Sequence, residues 1–350
     1  MTSPVAAATG SEVSAEGPTE AGSTPRISVV VSTHNRAGSL SRLIAALEAQ
    51  DGVHPFEAVI VDDCSTDETW EVLQDLARRS AIQIHVLRTR VNSGPAGGRN
   101  LGWRAARAPF VAFTDDDCRP DPGWLARLMA ALDGADVVQG QTRVDPVEVH
   151  GVGPFARIQV IEEWSGLFEC CNIAYRRDVL ERMAGFDESF PRPFGEDVDL
   201  GWRAVEAGSN VAFASRAVVV HDVETTGNPL RDWVAWVKDV RRRVYAPKMV
   251  KRHPGLRAQF HRRWFYKPHH PRTLAALVGL GLLAFRPSRP VSWVAAGALI
   301  APWLHYRVFV APRPARRRNY PLVLPLTFIG DAADVGIMVA GSIRFRTILL

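Results

Sequence analysis

The amino-acid sequence predicts an α/β fold, a mixed and mostly parallel sheet flanked by helices, with a helical apolar region appended to it. Two observations carry this. Apolar runs of strand length alternate with amphipathic segments of helix length from residue 27 to residue 132, the pattern of βαβ units. After residue 226 the alternation gives way to longer apolar stretches among arginines, which suit helices rather than strands. With 350 residues, 47% hydrophobic and 23% charged, the chain has an ordinary globular balance and ample length for a large core.

Residues 1–25 are rich in Ala, Ser, Gly, Thr, Pro and Glu, lack the apolar and basic segments of a signal peptide, and read as a disordered tail. Residues 26–225 hold the regular alternation. Strands are expected over 27–32, 58–61, 82–87 and 110–113, and helices over 40–50, 67–79, 96–106 and 121–132, with Ser39 as an N-cap. The pattern then becomes mixed. Strands are expected over 137–144 and 167–175, irregular chain over 145–166, a loop over 183–193, a helix over 196–207, and short strands over 210–214 and 217–221.

Residues 226–350 form a basic and apolar helical region. A helix is expected over 232–244, with Trp233, Trp236, Val237 and Val240 on one side. The apolar runs 274–285 and 291–304 fall short of the roughly twenty residues that a membrane span needs. An apolar hairpin lying in the membrane interface is therefore expected, with tryptophans and arginines at the headgroup level. A soluble helical subdomain is the other reading. The stretch 323–343 is interrupted by Asp331 and Asp334, which suits an amphipathic or buried helix.

The net charge of +5 is unevenly spread, with cations gathered between Arg231 and Arg318 and acids concentrated before Asp199. That asymmetry points to an anionic partner such as a membrane surface; no recognition motif accompanies it, so nucleic acid is not expected. Cys64, Cys118, Cys170 and Cys171 have neither zinc spacing nor a CxxC pattern and read as reduced, packed thiols.

The stretch PFVAFTDDDCRPDPGW carries the chemistry. An apolar strand delivers Asp115, Asp116 and Asp117 at its C-terminal end, where open α/β sheets bind their ligands. A solvated acidic loop is the plainer reading of such a charge run. Three further clusters stand at strand ends or helix starts: Ser32 to Arg36, Asp62 to Asp67, and the small-residue loop Gly94 to Asn100. Together they suit a nucleoside diphosphate. Helix N-termini and a glycine-permitted backbone accept the phosphates, Arg99 can pair with their oxygens, and the aspartates can hold a divalent cation.

The ordered motifs VVVSTHNR, VIVDDCSTD, NSGPAGGRNLG, FTDDDC and FGEDVDLGWR resemble the family 2 glycosyltransferases of GT-A (Rossmann-like) fold, over roughly residues 27–223. The resemblance implies that Ser32, His34 and Asp63 line the nucleobase pocket of a nucleotide-diphosphate sugar, with Gly94 and Arg99 near its phosphates. It places the DxD motif on Asp115 and Asp117, with the register open by one residue, and Asp115 or Asp116 near the ribose and sugar hydroxyls. It also implies a Mn2+ or Mg2+ ion held by Asp115, Asp117 and His221, Glu196 as a substrate contact, and Asp197 as the base that deprotonates an acceptor hydroxyl with inversion at the anomeric carbon. The QxxRW motif of processive synthases is absent, so transfer of a single residue is expected. The expected acceptor is a glycan of the envelope or a lipid-linked molecule, at the cytoplasmic face of the cell membrane. A catalytically inactive sugar-nucleotide-binding or scaffold protein, and a sugar nucleotidyltransferase, are the alternatives.

Overall fold

A computed structural model describes residues 12–16, 24–153, 155–190, 194–311 and 320–350. The chain divides into two compact units, Met1–Arg143 with Val160–Asp222, and Val144–Gln159 with Val223–Leu350. Residues 144–159, which the sequence groups with the α/β region, thus belong to the second unit.

The first unit contains a nine-stranded sheet. Its strands are β1 (Glu12–Glu16), β2 (Ser28–Thr33), β3 (Glu57–Asp62), β4 (Gln83–Arg88), β5 (Phe110–Thr114), β6 (Cys118–Pro120), β7 (Val137–Val144), β8 (Asn172–Arg176) and β9 (Val211–His221). They lie in the order β1-β4-β3-β2-β5-β8-β7-β9-β6. Strands β4, β3, β2 and β5 run parallel to one another, whereas β1 is antiparallel to β4 and β8 is antiparallel to β5. The helices are α1 (Ala37–Glu48), α2 (Thr69–Arg79), α3 (Gly94–Ala105), α4 (Trp124–Leu132), α5 (Arg177–Arg182) and α6 (Glu196–Glu206).

The apolar runs are buried because central parallel strands are covered on both faces. Val29, Val30 and Val31 of β2 and Ala58 to Val61 of β3 have no solvent exposure. Leu40, Leu43, Ile44 and Leu47 form the buried stripe of α1, as their spacing requires. That helix starts earlier than expected. Arg36 occupies the cap position, and Ser39 lies within the first turn, where its hydroxyl donates to the Arg36 carbonyl at 3.0 Å. Helix α3 comes unusually close to the sheet. A Cβ on Gly98 would stand 2.1 Å from Ser32 Oγ, and one on Gly102 would stand 2.5 Å from Val30 Cγ1.

Three departures from the sequence reading matter. Residues 12–16 of the expected disordered tail pair as a strand with β4, because an edge strand offers unpaired backbone groups to any extended segment; residues 1–11 and 17–23 lie outside the described residues. Residues 211–221 are one strand, not two, since exposed Ser215 and Arg216 do not interrupt it. The stretch 167–175 yields a strand only from Asn172, because Gly166 and Phe168 have positive φ of 70° and 54°.

The second unit is helical. A short helix, Pro146–Gly151, is capped by Asp145, and α7 (Pro229–Val240) is capped by Asn228. Then follow α8 (Ala246–Arg252), α9 (His270–Phe285), α10 (Pro290–His305) and α11 (Tyr320–Phe345). Helix α10 does not stop at Leu304. It continues as a π-turn through Val310, so Pro290–Val310 runs for 21 residues and Val323–Phe345 for 23, each long and apolar enough to cross a membrane, whereas His270–Phe285 is shorter. Asp331 and Asp334 are fully buried against cations of the same unit. Asp331 accepts from Arg307 Nε at 2.8 Å and Trp303 Nε1 at 2.8 Å, and Asp334 pairs with Arg243 and with His270 Nε2 at 3.2 Å. Two carboxylates thus face two guanidiniums, which is how a charged pair survives inside an apolar helix.

Candidate active site

The three consecutive aspartates each take a different partner. Arg99 Nη2 donates to Asp115 Oδ1 at 2.9 Å. Asp116 turns inward and accepts from Thr33 Oγ1 at 2.6 Å. Asp117 lies 3.5 Å from Arg36 Nη1 through Oδ2 and 3.5 Å from His221 Nε2 through Oδ1. The division relieves the like-charge repulsion. Burial, with the neighbouring Asp117 and Asp115, also pushes the Asp116 carboxyl up to about 7 against the Thr33 hydrogen bond and Arg36.

Strand β6 explains how a histidine a hundred residues away reaches this loop. It pairs antiparallel with β9 so that Cys118 faces His221, and the Asp222 N–H donates to the Asp117 carbonyl at 2.9 Å. Asp117, Cys118 and His221 offer ligand atoms within 4.8 Å of one another. The Cys118 thiol is buried and pushed well up by that burial, and the oxygen and nitrogen donors of Asp117 and His221 are the ones that suit a hard or borderline divalent cation. A carboxylate and an imidazole at this separation fit two adjacent positions around a divalent cation, and the imidazole favours Mn2+ over Mg2+. Asp115 stands outside this group, with its carboxylate on Arg99.

Asp63, at the end of β3, clamps the start of α3. Its Oδ1 accepts from Thr89 Oγ1, Ser93 N and Ser93 Oγ at 2.8, 2.9 and 2.8 Å, and its Oδ2 accepts from Gly94 N at 2.7 Å. The Gly94 N–H expected near a phosphate is therefore engaged with Asp63. His34 Nδ1 lies 2.8 Å from the Asp63 carbonyl, which sets the imidazole at the same rim. Ser32 is pressed against Gly98. The small residues of NSGPAGGRNLG thus serve helix packing as well as the loop.

Helix α6 begins with Gly195 at φ 94°, a conformation that suits glycine, and presents Glu196 and Asp197 in its first turn. Arg99 is the hinge between this turn and the aspartate loop, because its Nη1 reaches Glu196 Oε1 at 3.2 Å while Nη2 holds Asp115. Burial works against the charge of this guanidinium, but the facing carboxylates of Asp115 and Glu196, with Asp197, outweigh it and hold the proton more firmly than usual. Arg99 is thereby committed to two carboxylates. Burial and then the Glu196 charge raise the Asp197 carboxyl well above the carboxylate range, and Arg99 opposes them. Arg203 holds the helix from behind, bonded to Asp199 Oδ2 at 2.8 Å and to the Gly185 carbonyl at 2.7 Å. Cys170 and Cys171 are buried and unoxidised, and burial pushes both thiols up. Residues 191–193 of the preceding loop lie outside the described residues.

The described geometry brings Ser32, His34, Asp63, Gly94, Arg99, Asp115, Asp116, Asp117, Glu196, Asp197 and His221 into the first unit's sheet rim. Thr33 and Arg36 belong to the Ser32 to Arg36 cluster of the sequence reading, which gave neither a role of its own. Both lie inside the VVVSTHNR cluster, and the excess of acids over cations at this rim was the signal that a guanidinium had to sit among them.

Residues 28–183 match Glycosyl transferase family 2. This segment is a family 2 glycosyltransferase domain. Among relatives, the pre-mycofactocin glycosyltransferase of Mycobacterium tuberculosis is 31% identical over 250 residues, covering 66% of this chain and 49% of that protein. The succinoglycan biosynthesis protein ExoO of Rhizobium meliloti is 34% identical over 218 residues, covering 57% and 61%. The chain thus spans about half the length of the first of these relatives. Among solved structures, the mannosyltransferase PcManGT of Pyrobaculum calidifontis, in complex with GDP-Man and Mn2+, superposes with a TM-score of 0.64 at 19% identity, over 93% of this chain and 88% of that one. At that identity the likeness establishes the GT-A fold of the glycosyltransferase domain.

Proposed function

We propose that the chain is an inverting, cation-dependent glycosyltransferase that moves a sugar from a nucleotide-diphosphate donor to an acceptor hydroxyl. The observation that carries this is the convergence, through Arg99, of the Asp115–Asp117 loop and the Glu196–Asp197 turn on one rim of the parallel sheet. Donor-binding and proton-accepting groups then stand on one rim, as a single displacement requires.

In this reading His34 and the rim set by Asp63 receive the nucleobase and ribose, and Asp115 orients the sugar hydroxyls. Asp117 and His221 hold Mn2+ or Mg2+, as the Mn2+ bound in the mannosyltransferase neighbour supports. The chemistry such an ion supplies when bound is neutralisation of charge on the departing diphosphate. Asp197, its basicity raised by burial, takes the acceptor proton as the hydroxyl attacks the anomeric carbon from the face opposite the leaving group. Glu196 anchors Arg99 behind that base.

The acceptor in this proposal is a lipid-linked molecule or envelope glycan at the cytoplasmic face of the membrane. Support comes from the second unit, where Phe285, Val291, Trp293 and Val294 expose apolar surface beside the exposed Arg286 and Arg289. The test is a pair of variants followed by release of nucleoside diphosphate and by donor binding. Asp197→Asn is expected to lose turnover and keep donor affinity, whereas Asp117→Ala is expected to lose cation-dependent donor binding as well. Retained turnover in either variant would refute these roles.

A further inference from the structure

We infer that the hairpin formed by α9 and α10 crosses the bilayer from the cytoplasmic side instead of lying along its surface, which rests on the membrane placement proposed above and adds how the second unit meets the lipid. A helix in the membrane interface keeps a polar face toward water. This hairpin has none. No ionisable residue stands between Arg272 and Arg286, or between Arg289 and His305.

The outward surface of its far half is apolar on both helices, with Val278 58% exposed and Val294 75% exposed. On α9 the exposed Leu277, Val278, Leu280 and Leu282 take in more than half of the circumference at about 3.6 residues per turn. A second copy of the chain would cover one such face, whereas hydrocarbon covers all of them at once. The seam between the two helices is of the kind that membrane pairs use. Ala276 and Ala296 are buried, and a Cβ on Gly279 would stand 3.1 Å from the Ala296 carbonyl oxygen and 3.2 Å from Leu299 Cβ. Small residues let two backbones approach where no hydrophobic drive joins the helices.

Length and charge fix the depth. The chain rises about 21 Å from Arg272 to Arg286 and about 27 Å from Arg289 to Arg307, against about 30 Å of hydrocarbon. Arginines at both ends make up the difference by snorkelling, with local thinning of the bilayer. A hairpin that turned back inside the membrane would leave Arg286 and Arg289 at its centre, where charged side chains are costly. Trp293, whose Nε1 donates to the Pro287 carbonyl at 2.9 Å, takes the aromatic position beside the turn. The cations also set the orientation. Six Arg and Lys residues lie from Arg252 to Arg272 and only Arg286 and Arg289 in the turn, so the base of the hairpin is held on the cytoplasmic side.

The experiment places single cysteines in the full chain with Cys64→Ser, the other three thiols being buried. Ser288→Cys reports the turn, and Arg262→Cys, exposed ahead of α9, reports the base. Spheroplasts of a bacterial expression host, and membranes from the same cells after lysis, are treated with a membrane-impermeant maleimide. Ser288→Cys is expected to label equally before and after lysis and Arg262→Cys only after it, and the wild-type chain is expected to stay in the membrane through alkaline carbonate. Labelling of both positions only after lysis would overturn the crossing by placing the hairpin on the cytoplasmic surface. Labelling of Ser288→Cys only in detergent would overturn it by burying the turn, and labelling of Arg262→Cys before lysis would overturn the orientation. Release of the wild-type chain by carbonate would remove the membrane placement itself, and nucleoside diphosphate binding by the released protein would show that the glycosyltransferase reading survives that loss.

Discussion

Replacing Arg99 by Met removes the cation that joins the two halves of the candidate site while nearly preserving volume. The guanidinium is buried between Asp115 Oδ1 at 2.9 Å and Glu196 Oε1 at 3.2 Å, so its loss leaves two carboxylates without their counterion. Breaking a buried pair of this type costs about 3–5 kcal/mol. At about 2–4 °C for each kcal/mol, the melting temperature is expected to fall by about 6–20 °C. The same change acts on Asp197. Its carboxyl is raised by burial and by Glu196, and Arg99 works in the opposite direction, so the variant holds it higher still. A base must be deprotonated to act, hence activity is lost as pH falls through this pKa. The acid limb of nucleoside diphosphate release is therefore expected to move to higher pH in Arg99→Met. Adding Glu196→Gln removes one stranded charge and is expected to restore part of the stability. An unchanged melting temperature together with an unchanged acid limb would refute the reasoning.

Other consequences can be measured independently. Glu57 is fully buried, and although burial works against its charge, hydrogen bonds from His85, Ser28 and Arg107 hold its carboxyl at about 2, below the usual 4.5. That stabilisation is present above the unfolded-state pKa and lost as pH falls toward 2, so Glu57→Gln is expected to cost about 3 kcal/mol at pH 7 by urea unfolding and almost nothing at pH 2. Gly201→Ala would place a Cβ 2.1 Å from the ring of buried Phe168, and a loss of about 1–3 kcal/mol is expected from overpacking. Asp63→Asn turns an amide N–H toward the Gly94 N–H in place of an acceptor, and a penalty of about 1–3 kcal/mol is expected in thermal unfolding. The full chain is expected to float with anionic phospholipid vesicles and to remain bound in high salt, because Phe285 at 89% exposure and Val291 at 77% supply an apolar contact that salt does not screen; release by salt would contradict it.

The sheet was legible because parallel central strands are apolar on both faces and their helices carry a regular stripe. Residues 28–31 and 58–61 could hardly be anything else. The Asp triplet and the Glu196–Asp197 turn stood out in the sequence through the motifs FTDDDC and FGEDVDLGWR rather than through charge alone, since a solvated loop is the plainer reading of an acidic run. What each carboxylate touches was not legible. Asp63 proved to be a clamp on Ser93 and Gly94, and Arg99 a bridge between carboxylates, because both outcomes depend on distances between elements that local sequence does not encode. The length of α10 was hidden by His305 and Arg307, which break the apolar run without breaking the helix, Arg307 having Asp331 to pair with.

The most direct measurement is thermal stabilisation of the purified chain by nucleoside diphosphates and their sugars, with Mn2+ or Mg2+ and with a chelator. A ligand that binds only the folded state stabilises it by about 2.7 kcal/mol at a hundred times its dissociation constant, and this needs no knowledge of the acceptor. Cation-dependent stabilisation by one nucleoside diphosphate, abolished by Asp117→Ala, is expected. An unshifted melting temperature with every nucleotide and either cation would contradict a nucleotide-sugar donor at this site.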